Sequence, residues 1–244
     1  MKTLLSLVVW FVVWEIAGRL KISTIVPPFS AVIEAAIEIA PTGKFGKAAI
    51  ITLRSFGLGM LLALAIGIPL GILMARVKAA GQLLGMWVNI FVSAPISALV
   101  PILMAVLGIG EATVVVTVFL FAVFVITLDT QVGITHADRS LVEMARSFGA
   151  SRSQLYTKVL FLSALPEILA GVRLGAIRGV KGVVIGQLLV SIIGYGELFE
   201  LYSRNFLMAE FWALTVLLFA FAMVVAEAVG AIEKRIEYYA GVRQ

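Results

Sequence analysis

Six long apolar runs, separated by shorter polar stretches, set the pattern of the chain. They cover about Leu4 to Ala17, Phe56 to Ala75, Leu83 to Leu107, Thr113 to Leu128, Ile168 to Ile192 and Phe211 to Gly230. Apolar positions within them are continuous rather than alternating, which predicts helices and not the strands of a barrel. Crossing a bilayer core takes roughly 20 apolar residues of helix, because lipid leaves the backbone no partner but itself. The pattern therefore predicts an all-α polytopic membrane protein of about six transmembrane helices, forming one transmembrane domain over 1–244. An N-terminal helix and outer-surface segment occupy 1–50, core helices with a polar loop 51–230, and a tail 231–244. The first run is short, follows Lys2 and contains Glu15; no small-x-small cleavage site succeeds it, so it reads as a retained helix rather than a signal peptide.

Two polar interruptions have a defined local grammar. Between the fourth and fifth runs, Ser140 with Glu143 and Ser151 with Gln154 have the spacing of capping boxes, and Gly149 stands where a left-handed residue ends a helix. This predicts two short helices meeting at a sharp corner. Between the first two runs, Val26-Pro-Pro-Phe-Ser30 precedes an amphipathic segment. There Ser30 is placed to cap a helix with Val32, Ile33, Ala36, Ile37 and Ala40 on one face and Glu34 and Glu38 on the other. It reads as a helix lying at the outer membrane surface, ended by Pro41-Thr42-Gly43.

Inside the apolar runs, a few residues break the pattern. Pro95 and Pro101 predict a kink in the third helix, and Pro95 is a candidate pathway-lining position. In the fifth, Gly171, Gly175, Gly179, Gly182 and Gly186 form a small-residue stripe that lets helix backbones approach closely. Packing against a second copy and a mobile helix are both open explanations. The same helix carries Arg178, Lys181 and Gln187, and polar groups at membrane depth usually face a cavity or a partner. These three are candidates to line a pathway. Alternatively, Arg173 and Arg178 snorkel to the surface, Lys181 pairs with Glu227, and Gln187 ties helices together.

Composition supports the membrane reading: 61% of residues are hydrophobic, 14% charged, and mean hydropathy is +1.09, against about 25% charged in soluble domains. The net charge of +5 is distributed topologically. With the N-terminus inside, ten Lys and Arg fall in cytosolic segments and six outside, which places both termini and the Ser140–Gln154 loop in the cytosol. No basic stripe interleaved with aromatics points to nucleic acid. With no cysteine and one histidine, His136, beside Asp138 and Arg139, no metal site is expected. No Ser/His/Asp set converges on catalysis, and no Gly-x-x-x-x-Gly-Lys-Ser/Thr loop is present, so the chain is expected to carry neither a catalytic residue nor an ATP site of its own.

The loop resembles the EAA loop in the integral-membrane subunits of ABC importers, which reads Glu-Ala-Ala, three residues, Gly, nine residues, Ile-x-Leu-Pro. The matching positions are Glu143-Met144-Ala145, Gly149 and Val159-Leu160-Phe161-Leu162. Met144 replaces the first Ala and Phe161-Leu162 replaces Leu-Pro, while Ala164-Leu165-Pro166 follows just beyond. Pro101 through Gly108-Ile-Gly-Glu111, and Asp129-Thr130 with Gly133, are similar to segments of the nitrate, sulfonate and taurine branch, with Asp129 in place of Asn. So is the proline-containing segment after the first helix.

The resemblance implies a permease of a prokaryotic cytoplasmic (inner) membrane, moving a small, anionic solute by alternating access. Implied partners are an ABC ATPase dimer carrying ATP and Mg2+, an extracytoplasmic substrate-binding protein, a second copy of the chain as a homodimer, and membrane lipid. It also implies that Glu143, Met144, Ala145, Arg146 and Gly149 engage the ATPase, and that no cofactor resides in this chain. A stand-alone ion-coupled transporter or channel is the alternative.

Overall fold

The computed structural model describes residues 2–136 and 139–239; Asp138 and the end of the expected tail lie outside the described residues. Every described element is helical. In chain order they are α1 (Lys2–Arg19), α2 (Phe29–Ile39), α3 (Gly43–Arg76), α4 (Lys78–Ser93), a 3-10 turn (Ile96–Leu99), α5 (Val100–Leu107) and α6 (Glu111–Thr135). Then come α7 (Arg139–Ser147), α8 (Arg152–Gln154), a π-helical stretch (Leu155–Leu160), α9 (Phe161–Ser163), α10 (Leu165–Val190), α11 (Gly194–Arg204) and α12 (Met208–Tyr239).

Among the described residues, α3, α6 and the Met208–Arg235 part of α12 are each long and apolar enough to cross a membrane. Two bent pairs raise the number to five if each is one span: Lys78–Ser93 with Ile96–Leu107, bent by 94°, and Leu155–Ser163 with Leu165–Val190, bent by 59°. The third run is thus broken rather than kinked. Pro95 has no N–H to continue the ladder and forces its predecessor out of the helical region, and Ala94 is extended at ψ 147°. The first run is helical, but Lys2, Glu15 and Arg19 keep α1 out of the apolar set.

The chain divides into two compact units, Met1–Leu53 with Gln187–Ala222 and Arg54–Gly186 with Met223–Gln244. In the first, Val32, Ala35, Ile39 and Ala213 are buried, with Trp14, Phe45, Tyr202 and Trp212 packed around them. Two indoles fasten the segment before α2: Trp14 Nε1 donates to the carbonyl of Pro27 at 3.0 Å and Trp212 Nε1 to that of Ile25 at 2.9 Å. The apolar face of α2 differs from the expected one. Val32, Ala35 and Ile39 point inward, while Ile33 and Ile37 are exposed. Nor does Ser30 cap the helix, because α2 begins one residue earlier, after Pro28. Glu15 of α1 supplies the anion instead, accepting the Ser30 N–H and hydroxyl, both at 2.9 Å, which suits the positive end of the helix dipole.

In the second unit α6 is central; Val114, Val118, Ala122 and Ile126 are fully buried. Glycines allow two helices to reach it. On α10, a Cβ at Gly171 would lie 2.6 Å from the Cβ of Asp129, and one at Gly175 2.8 Å from Ile126; Gly182 faces Phe121 and Val118, and Gly186 faces Thr117 and Val114. Gly179 faces Met60 and Phe56 of α3. The partner of the stripe is therefore within the same chain. On α3, Gly59, Gly67 and Gly71 meet Val118, Val123 and Thr127 in the same way and form a second stripe. Outside hydrocarbon-type packing, the Gly108–Glu111 turn is held by Arg54, whose Nε donates to Glu111 Oε1 at 2.7 Å and whose Nη2 pairs with Oε2.

Candidate functional site: the α7–α8 corner

The corner is built by local backbone rules. α7 ends in a complete Schellman closure: the Gly149 N–H donates to the carbonyl of Arg146 at 2.9 Å and the Ala150 N–H to that of Ala145 at 3.0 Å. Gly149 adopts φ +76°, a conformation that costs an ordinary L-residue about 1–2 kcal/mol. Two residues on, the second capping box is closed. The Ser151 N–H donates to Gln154 Oε1 at 2.9 Å, and the Gln154 N–H donates to Ser151 Oγ at 3.3 Å. Stop and start signals so close together leave no room for a straight continuation. The first box differs from expectation, since α7 already includes Arg139 and Ser140 lies inside its first turn.

Among the side chains that α7 and its C-cap leave exposed are three large apolar ones. Leu141 is 38% exposed, Met144 53% and Phe148 85%; at spacings of three and four they fall along one helix face. Glu143 and Arg146 are exposed on the other side of the helix, and Ala145 is half-buried. Large apolar side chains exposed in a row on a short polar helix are the form in which amphipathic helices meet a hydrophobic groove. The expected loop residues included Met144 but neither Leu141 nor Phe148, although their i, i+3, i+7 spacing is visible in the sequence.

After the corner the chain widens into the π-helical stretch Leu155–Leu160, a geometry frequent at functional sites. Leu155 is buried and Tyr156 lies under the Arg76 guanidinium, 4.0 Å from its ring centre. The Leu-Pro turn is displaced from the motif's register at Phe161-Leu162. The bend falls at Ala164, where Leu165-Pro166 opens α10; proline is tolerated in a helix's first turn, where no intrahelical donor is needed.

The candidate pathway residues fall in several places. Pro95 is exposed at the break between α4 and the 3-10 turn. Arg178 is half-buried and Lys181 exposed. Among the described residues Lys181 and Glu227 form no ion pair; the pairing on this helix is Arg173 with Glu233 at 3.3 Å. Gln187 is 1% exposed and its amide oxygen accepts from Thr52 Oγ1 at 3.0 Å and from the Tyr195 N–H at 3.2 Å. Within the chain it is a junction between helices.

Comparison with known proteins shows the family and the fold. The profile of the family described as binding-protein-dependent transport system inner membrane component matches residues 67–238, which includes the whole corner. A putative ABC transporter permease protein of Methanocaldococcus jannaschii is 32% identical over 185 residues, covering 74% of this chain and 69% of its own. The taurine transport system permease protein of Escherichia coli is 28% identical over 224 residues, covering 89% and 78%. Among solved structures, the inward-facing MetNI methionine ABC transporter contains a chain that superimposes with a TM-score of 0.66 at 21% identity, over 76% of this chain and 93% of that one; the likeness is one of fold.

Proposed function

Since the chain belongs to the binding-protein-dependent transport system inner membrane components, the permease subunits of ABC importers, we propose that its α7–α8 corner is the lever through which a separate ATPase drives it. The observation that carries this is the exposed row Leu141, Met144 and Phe148, set at a fixed angle by the Gly149 closure and the Ser151–Gln154 box. Burial of these three side chains in a groove provides affinity, at about 1.5–3 kcal/mol for each one fully covered. The rigid corner then passes groove motion into the π-helical stretch and α10. Nucleotide binding on the ATPases would draw two such corners together and open the outward side; hydrolysis would reset it.

Two corners require two permease chains, and a two-fold pair of this chain matches a two-fold ATPase pair. The excess of Lys and Arg in the loops that include the corner supports cytosolic termini. The solute is a small molecule bearing an anionic group, delivered by a binding protein; the sulfonate of taurine, for which one relative is named, has that chemistry. Gentle solubilisation from native membranes with mass spectrometry of what co-purifies tests the assembly. An ATPase at one to one, in a complex of two and two, is expected; a complex containing this chain and a different permease, or no ATPase in several mild detergents, overturns it. Uptake assays with taurine, nitrate and glycine betaine, using the cognate binding protein, test the solute.

A further inference from the structure

Beside the corner, and apart from its docking row, the second unit contains a cleft of about 710 Å³. One wall is the last two turns of α3, with Pro69, Ile72 and Leu73; the other is the start of the π-helical stretch with Tyr156. Arg76 and Arg146 also line it, and among the described residues no carboxylate does. Neither arginine takes part in an ion pair among the described residues. Arg76 lies with its guanidinium against the Tyr156 ring at 4.0 Å, so one face of the cation is covered while, among the described residues, its exposed N–H edges have no carboxylate partner. Such an edge is what grips a phosphate in bidentate fashion.

The cleft is thus graded along α3, apolar on the side of the span and cationic where the span ends at Arg76. That gradient matches the order of parts in a phospholipid, acyl chain within the hydrocarbon and phosphate at its edge. A soluble anion would use the arginines and leave the Pro69–Leu73 wall bare to water. We propose that this cleft binds one anionic phospholipid, with its phosphate between Arg76 and Arg146 and an acyl chain along Ile72 and Leu73. Because Arg76 ends α3 and Arg146 lies on α7, the bound phosphate links the end of a membrane span to the corner helix. The inference goes beyond the transport reading and does not require it.

Native mass spectrometry of the full chain, purified with whatever subunits accompany it and stripped of lipid in mild detergent, tests the proposal. It is titrated with phosphatidylglycerol or phosphatidylcholine of identical acyl chains, with and without excess inorganic phosphate. The expected result is retention of phosphatidylglycerol about tenfold tighter than phosphatidylcholine, a factor in keeping with charge-assisted pairing, undisturbed by inorganic phosphate. Arg76→Gln and Arg146→Gln should each abolish the preference, and Arg76→Lys should retain part of it. Arg146 is exposed on the corner, so its variant carries the test if Arg76→Gln fails to fold. Equal retention of both lipids, a preference that survives both Gln variants, or displacement by inorganic phosphate would overturn the assignment.

Discussion

The Thr52 hydroxyl and the Gln187 amide, 135 residues apart and both buried, meet at 3.0 Å. The Thr52 proton is shared, since the Ala48 carbonyl lies closer at 2.8 Å, so the amide oxygen depends chiefly on the Tyr195 N–H at 3.2 Å. The two partners should therefore respond unequally to mutation. Thr52→Val should cost under about 1 kcal/mol, whereas Gln187→Leu leaves the buried Tyr195 N–H without an acceptor and should cost more, toward the lower end of about 1–3 kcal/mol because it also removes the Gln187 Nε2 group, buried without a partner among the described residues. Thermal unfolding of each variant in mild detergent measures the difference; equal midpoints would show that Gln187 is not the junction described.

The glycine stripe on α10 should be graded in its tolerance of alanine. At Gly186 an added Cβ makes ordinary contact with Thr117 at 3.4 Å, and at Gly171 it would lie 2.6 Å from the Asp129 Cβ. Gly186→Ala should be neutral or stabilising, because alanine gains up to about 1 kcal/mol of helix propensity. Gly171→Ala should destabilise by about 1–3 kcal/mol through overpacking. Stability and monodispersity in detergent distinguish the two; a reversed order would mean that the stripe packs elsewhere.

Features set by nearby residues were legible in the sequence, and those set by distant ones were not. Gly149 and the Ser151–Gln154 box act within one turn, and both stand where their spacing placed them. The long apolar runs showed the helices because lipid-type burial is continuous along the chain. Pro95 marks a disruption and predicts a kink, but spacing does not reveal whether α5 restarts in line or at 94°. The cap of α2 was missed because its anion, Glu15, comes from another helix. The partner of the glycine stripe, α6, is likewise a property of packing. Leu141 and Phe148 differ: their signal is local, two apolar residues spaced one helix face apart with polar residues between them.

Gly149 should be sensitive to backbone conformation and indifferent to side-chain volume. Among the described residues an added Cβ there meets nothing within 4 Å, but the residue sits at φ +76°. Asparagine visits this region readily, so Gly149→Asn should keep uptake per ATP near wild type. Gly149→Val should weaken it, and Gly149→Pro, which fixes φ near −65° and removes the donor to Arg146, should abolish uptake while ATP hydrolysis and membrane insertion persist. Paired uptake and hydrolysis assays in vesicles decide; wild-type coupling in the proline variant would show that the corner's angle is not what transmits the motion.

The chain has no cysteine, so a single introduced thiol reports one position without background. Phe148→Cys, at the most exposed end of the α7 row, and Ile37→Cys, exposed on α2, can each be labelled in native membranes with a maleimide–benzophenone crosslinker and illuminated. The account predicts that Phe148→Cys captures the ATPase subunit in high yield, that the yield changes with nucleotide, and that Ile37→Cys captures none. Capture of the ATPase by Ile37→Cys but not by Phe148→Cys would contradict the placement of the lever at the α7–α8 corner.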